Sequence, residues 1–189
     1  MRAAMILAAI LLPGGCVLSL HPYYGSGETV AAPAAGNWRL LNSSGAPSQE
    51  ALWEIDGNRV RVYDDRGRWY RFDVTWFRVG KDLFADTVPA DTQTNMSTAE
   101  RDWFFHMVPF HMVSRVQLDG DRLLVLPLLA EPFNKVSPVP VPGHIQRRKL
   151  ETLVLDATAS DWRGFLRRYG SGNEMFKHRS QLTFVRATR

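Results

Sequence analysis

The chain predicts a mainly β fold: an antiparallel meander closing into a barrel or half-barrel, with one short helix before the last strand. Three observations predict it. Arg59 to Tyr63 (RVRVY) alternates charged and apolar residues, which puts Val60 and Val62 on one face and Arg59 and Arg61 on the other. Turn signals recur at short, even intervals: Asp56-Gly57-Asn58, Asp64-Asp65-Arg66-Gly67, Val79-Gly80-Lys81-Asp82 and Asp119-Gly120-Asp121. Asp-Gly is a strong signal for a two-residue hairpin because both turn positions want positive φ. Between these turns lie runs of strand length, and evenly spaced short strands point to a sandwich or barrel.

The elements follow in order. Gly36-Asn37-Trp38 opens the first strand of the domain, and Ala51 to Ile55 and Arg59 to Tyr63 flank the first hairpin turn. Trp69 to Arg78 is the longest run, turning at Gly80 into Leu83 to Asp86. Ser97-Thr98-Ala99-Glu100 has capping-box spacing and predicts a short helix through Trp103 and Phe104. Arg115 to Leu118 and Arg122 to Leu128 form another hairpin about Gly120. Residues 131–143, rich in proline and valine, suit a loop or an edge segment. Leu153 to Leu155 reads as a strand. Thr158 to Asp161 then opens a helix in which Trp162, Phe165, Leu166 and Tyr169 share one stripe, closed by Gly170. Leu182 to Val185 is the last strand, with Arg186 at its end.

The first sixteen residues differ in kind. Arg2 precedes the apolar run Ala3 to Leu12, which is too short for a permanent membrane span of about 20 residues and fits the core of a secretory signal. Leu12-Pro13-Gly14-Gly15-Cys16 resembles the lipobox of bacterial lipoproteins, with Pro13 where that family usually has leucine. The resemblance implies cleavage before Cys16, acylation of its thiol, and an anchor made effectively permanent by three chains. An ordinary secretory signal cut nearby is the alternative. Cys16 is the sole cysteine, so it has no intrachain disulfide partner. Val17, rather than aspartate, follows it; by the same resemblance this favours the outer membrane facing the periplasm, or the outer surface of a Gram-positive envelope. The organisation expected is a signal peptide over 1–15, a flexible tether over 16–35 rich in Gly, Pro, Ala and Ser, and a single β-rich domain over 36–189.

A hydrophobic share of 45% and an aromatic share of 11% predict a folded domain rather than a disordered tail. Lys and Arg number 23 against 19 Asp and Glu, with clusters only at Arg147-Arg148-Lys149 and Arg167-Arg168. No long basic stripe points to nucleic acid; weak attraction to anionic lipid head groups, or plain solvated surface, accounts for the balance.

Gly36, Trp38 and Arg186 resemble the Gly-x-Trp start and closing arginine of the lipocalin (calycin) superfamily. That resemblance implies that Trp38 plugs one end of a barrel under a basic side chain from the last strand, Arg186 or alternatively Arg189. The mature chain also resembles a group of small bacterial lipoproteins through Ser19-Leu20-His21-Pro22, Gly36-Asn37-Trp38, residues His106 to Val116, the Gly120 hairpin and the Trp162 to Tyr169 helix. That group brings no activity with it.

Inward residues on the meander, Trp53, Val60, Val62, Phe72, Val74 and Trp76, are candidates to line a cavity for a small apolar ligand or lipid, or to fill a solid core. His106 and His111 flank Pro109 and could join a metal site with His144, His178 or a carboxylate, although nothing fixes a third ligand. Hydrogen-bonded structural histidines are the plainer reading. No Gly-x-Ser-x-Gly elbow or phosphate loop occurs, so neither catalysis nor a cofactor is expected. The partners expected are the membrane through the lipid, a small apolar molecule, and alternatively an envelope protein for which the domain is a scaffold.

Overall fold

The structure, a computed structural model, describes residues 17–64, 67–92, 110–130, 133, 144–149, 152–172, 175–176 and 181–187. The expected signal segment, Cys16, the helix expected over Ser97 to Phe104, His106, His178, Arg189 and nearly all of residues 131–143 lie outside them.

Among the described residues the fold has eleven strands and one complete helix: β1 Val17–Ser19, β2 Gly36–Leu41, β3 Pro47–Asp56, β4 Arg59–Tyr63, β5 Trp69–Val79, β6 Asp82–Thr92, β7 Met112–Asp119, β8 Arg122–Pro127, β9 His144–Lys149, β10 Thr152–Asp156, α1 Ala159–Tyr169 and β11 Leu182–Arg186. Strands β2 to β8 form an antiparallel meander, and β11 closes it by pairing with both β8 and β2. The result is a closed eight-stranded barrel with α1 before its last strand, consistent with the calycin-like architecture. Closure leaves the barrel without an unpaired edge.

Three hairpins, after β3, β5 and β7, sit at one end. Each has a two-residue loop whose first residue is glycine, Gly57, Gly80 or Gly120, at φ 56, 62 and 54°. A residue with a Cβ is strained there, and the primed turn this permits matches strand twist. The turns are therefore centred one residue later than an Asp-Gly reading implies.

Two apolar cores result from strand alternation. Inside the barrel lie Trp38, Ile55, Val60, Val62, Tyr70, Phe72, Val74, Trp76, Val125 and Phe184. The opposite faces of β5 to β8 present Phe77, Phe84, Val113, Leu126 and Leu128, which a second layer covers with Trp162, Phe165 and Leu166 of α1 and Leu153 and Leu155 of β10. The stripe read from the helix spacing is the buried face of α1. Thr158 caps the helix, and Asp161 returns the bond in a capping box; these bonds hold the exposed Asp161 carboxyl below its ordinary pKa. At the other end the buried Arg115 donates from Nη1 to Gly170 O at 3.1 Å, placing a cation on the helix C-terminus.

The expected flexible tether needs correcting. Val17, Ser19, Tyr23 and Ala34 are each 1% exposed or less. β1 pairs in parallel with β10, and β9 completes a three-stranded sheet in the order β1-β10-β9. From there the chain descends outside the barrel: Ser19 bridges His111, Glu28 O accepts from Arg78 N–H, and Val30 N–H donates to Trp76 O. Composition suggested a tether because Gly, Pro and Ala carry little periodicity. The burial is instead supplied by single residues, Val17 and Tyr23, inserted between neighbouring elements.

The packing makes Trp162 the hinge of the outer layer. Its ring lies 4.3 Å from that of Tyr23, and Nε1 donates to Ser19 Oγ at 3.0 Å. Trp162→Ala is expected to cost about 3–5 kcal/mol in equilibrium urea unfolding, whereas Trp162→Phe retains most of the packing and loses chiefly the bond to Ser19.

Candidate functional site

The site is built from the inward positions of the meander. Every second residue of β5, Phe72, Val74 and Trp76, faces the barrel axis, beside Trp53, Val60 and Val62 of the neighbouring β3 and β4. The structure places all six sequence candidates on the wall of one cavity. Ala85, Thr87, Met112, Ser114, Val116 and Val125 continue the wall around the barrel, and Val17, Leu128 and Leu182 reach it at the end opposite the tight hairpins. The cavity has a volume of about 100 Å³. That is several times the ~10–15 Å³ one water needs and below the ~300–1,000 Å³ of pockets for drug-sized ligands. The interior is thus neither solid nor capacious. Among the described residues no charged side chain lines it, and the side-chain hydroxyls in the wall are those of Thr87 and Ser114.

Trp38 closes the hairpin end. It is completely buried, and its Nε1 donates to Ala34 O at 2.7 Å. The Arg186 guanidinium stands 4.5 Å from the Trp38 ring centroid. It donates from Nη1 to Ala35 O and from Nε to Asp121 Oδ1, each at 3.1 Å. Gly36 explains its own identity: φ is 127°, and a Cβ there would lie 2.8 Å from Arg186 Nη1. The three residues read as a barrel end are therefore in mutual contact, with Arg186 supplying the cation.

Sequence reasoning missed a second cluster, outside the barrel. His111 Nδ1 lies 2.8 Å from Asp86 Oδ2, and Tyr23 N–H donates to that oxygen at 3.3 Å. Ser19 and His111 exchange backbone bonds of 2.9 and 3.0 Å. Asp86 is 2% exposed, and its Oδ1 has no hydrogen-bond partner among the described residues. Burial pushes its carboxyl above the usual carboxylate range, against the opposing pull of His111 and the Tyr23 amide. The signal was present in the alternation of β6. Phe84 and Asp86 share the outward face, so a large apolar residue beside a carboxylate marks that face as covered.

Serine, histidine and aspartate thus meet in one place, but not as a nucleophilic triad. Ser19 Oγ donates to His21 O at 2.7 Å and accepts from Trp162 Nε1, and the residue is fully buried. The hydroxyl is committed to the strap and shielded from any substrate. His111 is likewise committed to Asp86, and no group of three or more His, Cys, Asp or Glu suited to a metal occurs among the described residues. His106 lies outside them.

Comparison of the chain with protein-family models, with curated proteins and with solved structures finds no match.

Two outcomes follow from this geometry. Arg186→Ala is expected to lower stability by about 1–2 kcal/mol, because a partly desolvated cation–π contact is lost, and to change Trp38 fluorescence. Arg186→Lys should recover part of both effects. For Asp86 the sign is set by its raised folded pKa. Its contribution is fully present below the ordinary carboxylate value of about 3.9 and is lost as pH rises through the folded value, because the folded chain then holds a proton the unfolded chain has released. Denaturation from pH 4 to 8 should therefore show a falling component that Asp86→Asn removes.

Proposed function

We propose that this is a lipid-anchored protein of the bacterial cell envelope, acylated on Cys16 and facing the periplasm from the outer membrane, whose barrel holds a small apolar ligand or lipid. The observation that carries the binding half is the shared wall of Trp53, Val60, Val62, Phe72, Val74 and Trp76 around one uncharged cavity, stopped at one end by Trp38 and Arg186. Apolar walls with a few polar groups are the usual composition of small-molecule sites. The size favours a small or slender occupant, such as one alkyl chain, over a broad ring system. The anchoring half rests on the charged start, the apolar run and the small residues before the sole cysteine.

The alternative is a scaffold for another envelope protein, which calls for an exposed apolar patch of several hundred Å². Among the described residues the only large hydrophobic side chains classed as exposed are Leu20 and Leu118, each 39% exposed. That favours the binder.

Mass spectrometry of protein purified from its own membrane tests both halves together. The expected result is a start at acylated Cys16 and a co-purifying small apolar species. Val74→Phe should abolish retention of that species while circular dichroism still reports the barrel, because added bulk at the wall consumes the space before it costs the fold. An unmodified thiol removes the anchor, and clean protein without any apolar companion removes the ligand.

A further inference from the structure

The barrel cavity is not uniform along its axis. Toward the tight hairpins lie indole rings whose N–H groups are already engaged: Trp38 Nε1 donates to Ala34 O at 2.7 Å and Trp76 Nε1 to Gly57 O at 3.1 Å. Toward the remote end the wall carries Thr87 and Ser114. In the strand register Thr87 stands opposite Met112, the first residue of β7, and Ser114 stands opposite Ala85. The two are therefore diagonal neighbours on the inward face, with Cβ atoms roughly 7 Å apart. A hydroxyl on each can reach one polar atom placed between them. Neither hydroxyl has a hydrogen-bond partner among the described residues.

Strand alternation keeps the charges next to them on the other face of the sheet. Asp86 and Arg115 adjoin Thr87 and Ser114 in sequence, yet both turn to the second layer: Asp86 to His111 and Tyr23, Arg115 to Gly170. The described wall of the cavity holds no counter-charge for an ion. A carboxylate or ammonium group brought inside would lose its water, a cost that two hydroxyls do not offset. An alcohol, ester or amide loses far less. Hydroxyls donate as well as accept, so they suit each of these neutral groups.

We propose that the barrel selects an aliphatic chain ending in an uncharged hydrogen-bonding group, the chain directed toward Trp38 and the polar end held by Thr87 and Ser114. This selection rests on the binding half of the reading above and names its ligand class. The test uses the full chain carrying Cys16→Ser, so that no acyl group competes. A cavity of about 100 Å³ calls for short probes. Uptake of hexane would be followed by headspace gas chromatography at pH 7, with 1-hexanol and hexanoate as competitors. The alcohol should displace hexane at a concentration at least about tenfold lower than the carboxylate requires. Thr87→Val with Ser114→Ala removes both hydroxyls and keeps the wall apolar. That double variant should still take up hexane, while the 1-hexanol needed to displace it rises by about two- to tenfold for each hydrogen bond lost. Each single variant should show part of that rise, and carries the comparison if the double variant does not fold. Hexane uptake with the alcohol and the carboxylate competing equally, or with 1-hexanol undiminished against the variants, would overturn the ligand class and leave an apolar binder. No hexane uptake by the parent chain would remove the binding reading itself, so the two failures are distinct.

Discussion

The structure depends on one closing seam. β11 is only five residues long, yet it must pair with β8 on one side and β2 on the other for eight strands to become a barrel. Arg186, at its end, ties the seam from both flanks. Its backbone amide and its Nε reach Asp121 beside β8, while Nη1 reaches Ala35 before β2. The exposed ion pair to Asp121 contributes little alone. The guanidinium's place over the Trp38 ring makes the contact specific, since the indole beneath it seals the interior from the hairpin end. Gly36, having no Cβ, leaves the space that the Arg186 guanidinium occupies.

Closure then determines the rest. A closed barrel of eight strands is just wide enough for side chains to fill. Here the fill is incomplete, and the gap is lined by aliphatic and aromatic groups. The outer faces of β5 to β8 are apolar too, so a second layer must cover them. The strap from Val17, the small sheet and α1 provide it, and Ser19, His111, Asp86 and Trp162 make hydrogen bonds between these elements, leaving Asp86 Oδ1 without a partner among the described residues. Histidine and carboxylate here hold structure; their burial is the cost of threading a polar backbone between two apolar layers.

Much of this was legible in the residues. The RVRVY alternation, the glycine turns and the Trp162 to Tyr169 stripe each report a local rule with period two, a positive φ or period 3.6, and each element is present. The six cavity residues were legible for the same reason, because alternation assigns a face without any knowledge of partners. The strap was not legible. Val17, Ser19 and Tyr23 show no period, and their burial comes from elements distant in the sequence, such as Asp86 for Tyr23, His111 for Ser19 and Leu128 for Val17. β9 was hidden in a basic run that reads as surface. Whether the inward residues would fill the barrel or leave a space depends on its diameter and on side-chain volumes, which periodicity cannot weigh. Asp86 and Arg115 were hidden because a charge in a strand reads as solvent-facing until a second layer is known to cover it.

The central claim is that β11 closes a barrel around a real apolar void. Crystals of the protein pressurised with xenon measure this most directly, because empty cavities of this lining take up xenon while packed cores do not. The account predicts a xenon peak inside the barrel, among Trp53, Val74, Trp76 and Val125, that disappears in Val74→Phe. Well-ordered crystals with no xenon in the barrel, and side chains meeting across its axis, would contradict it.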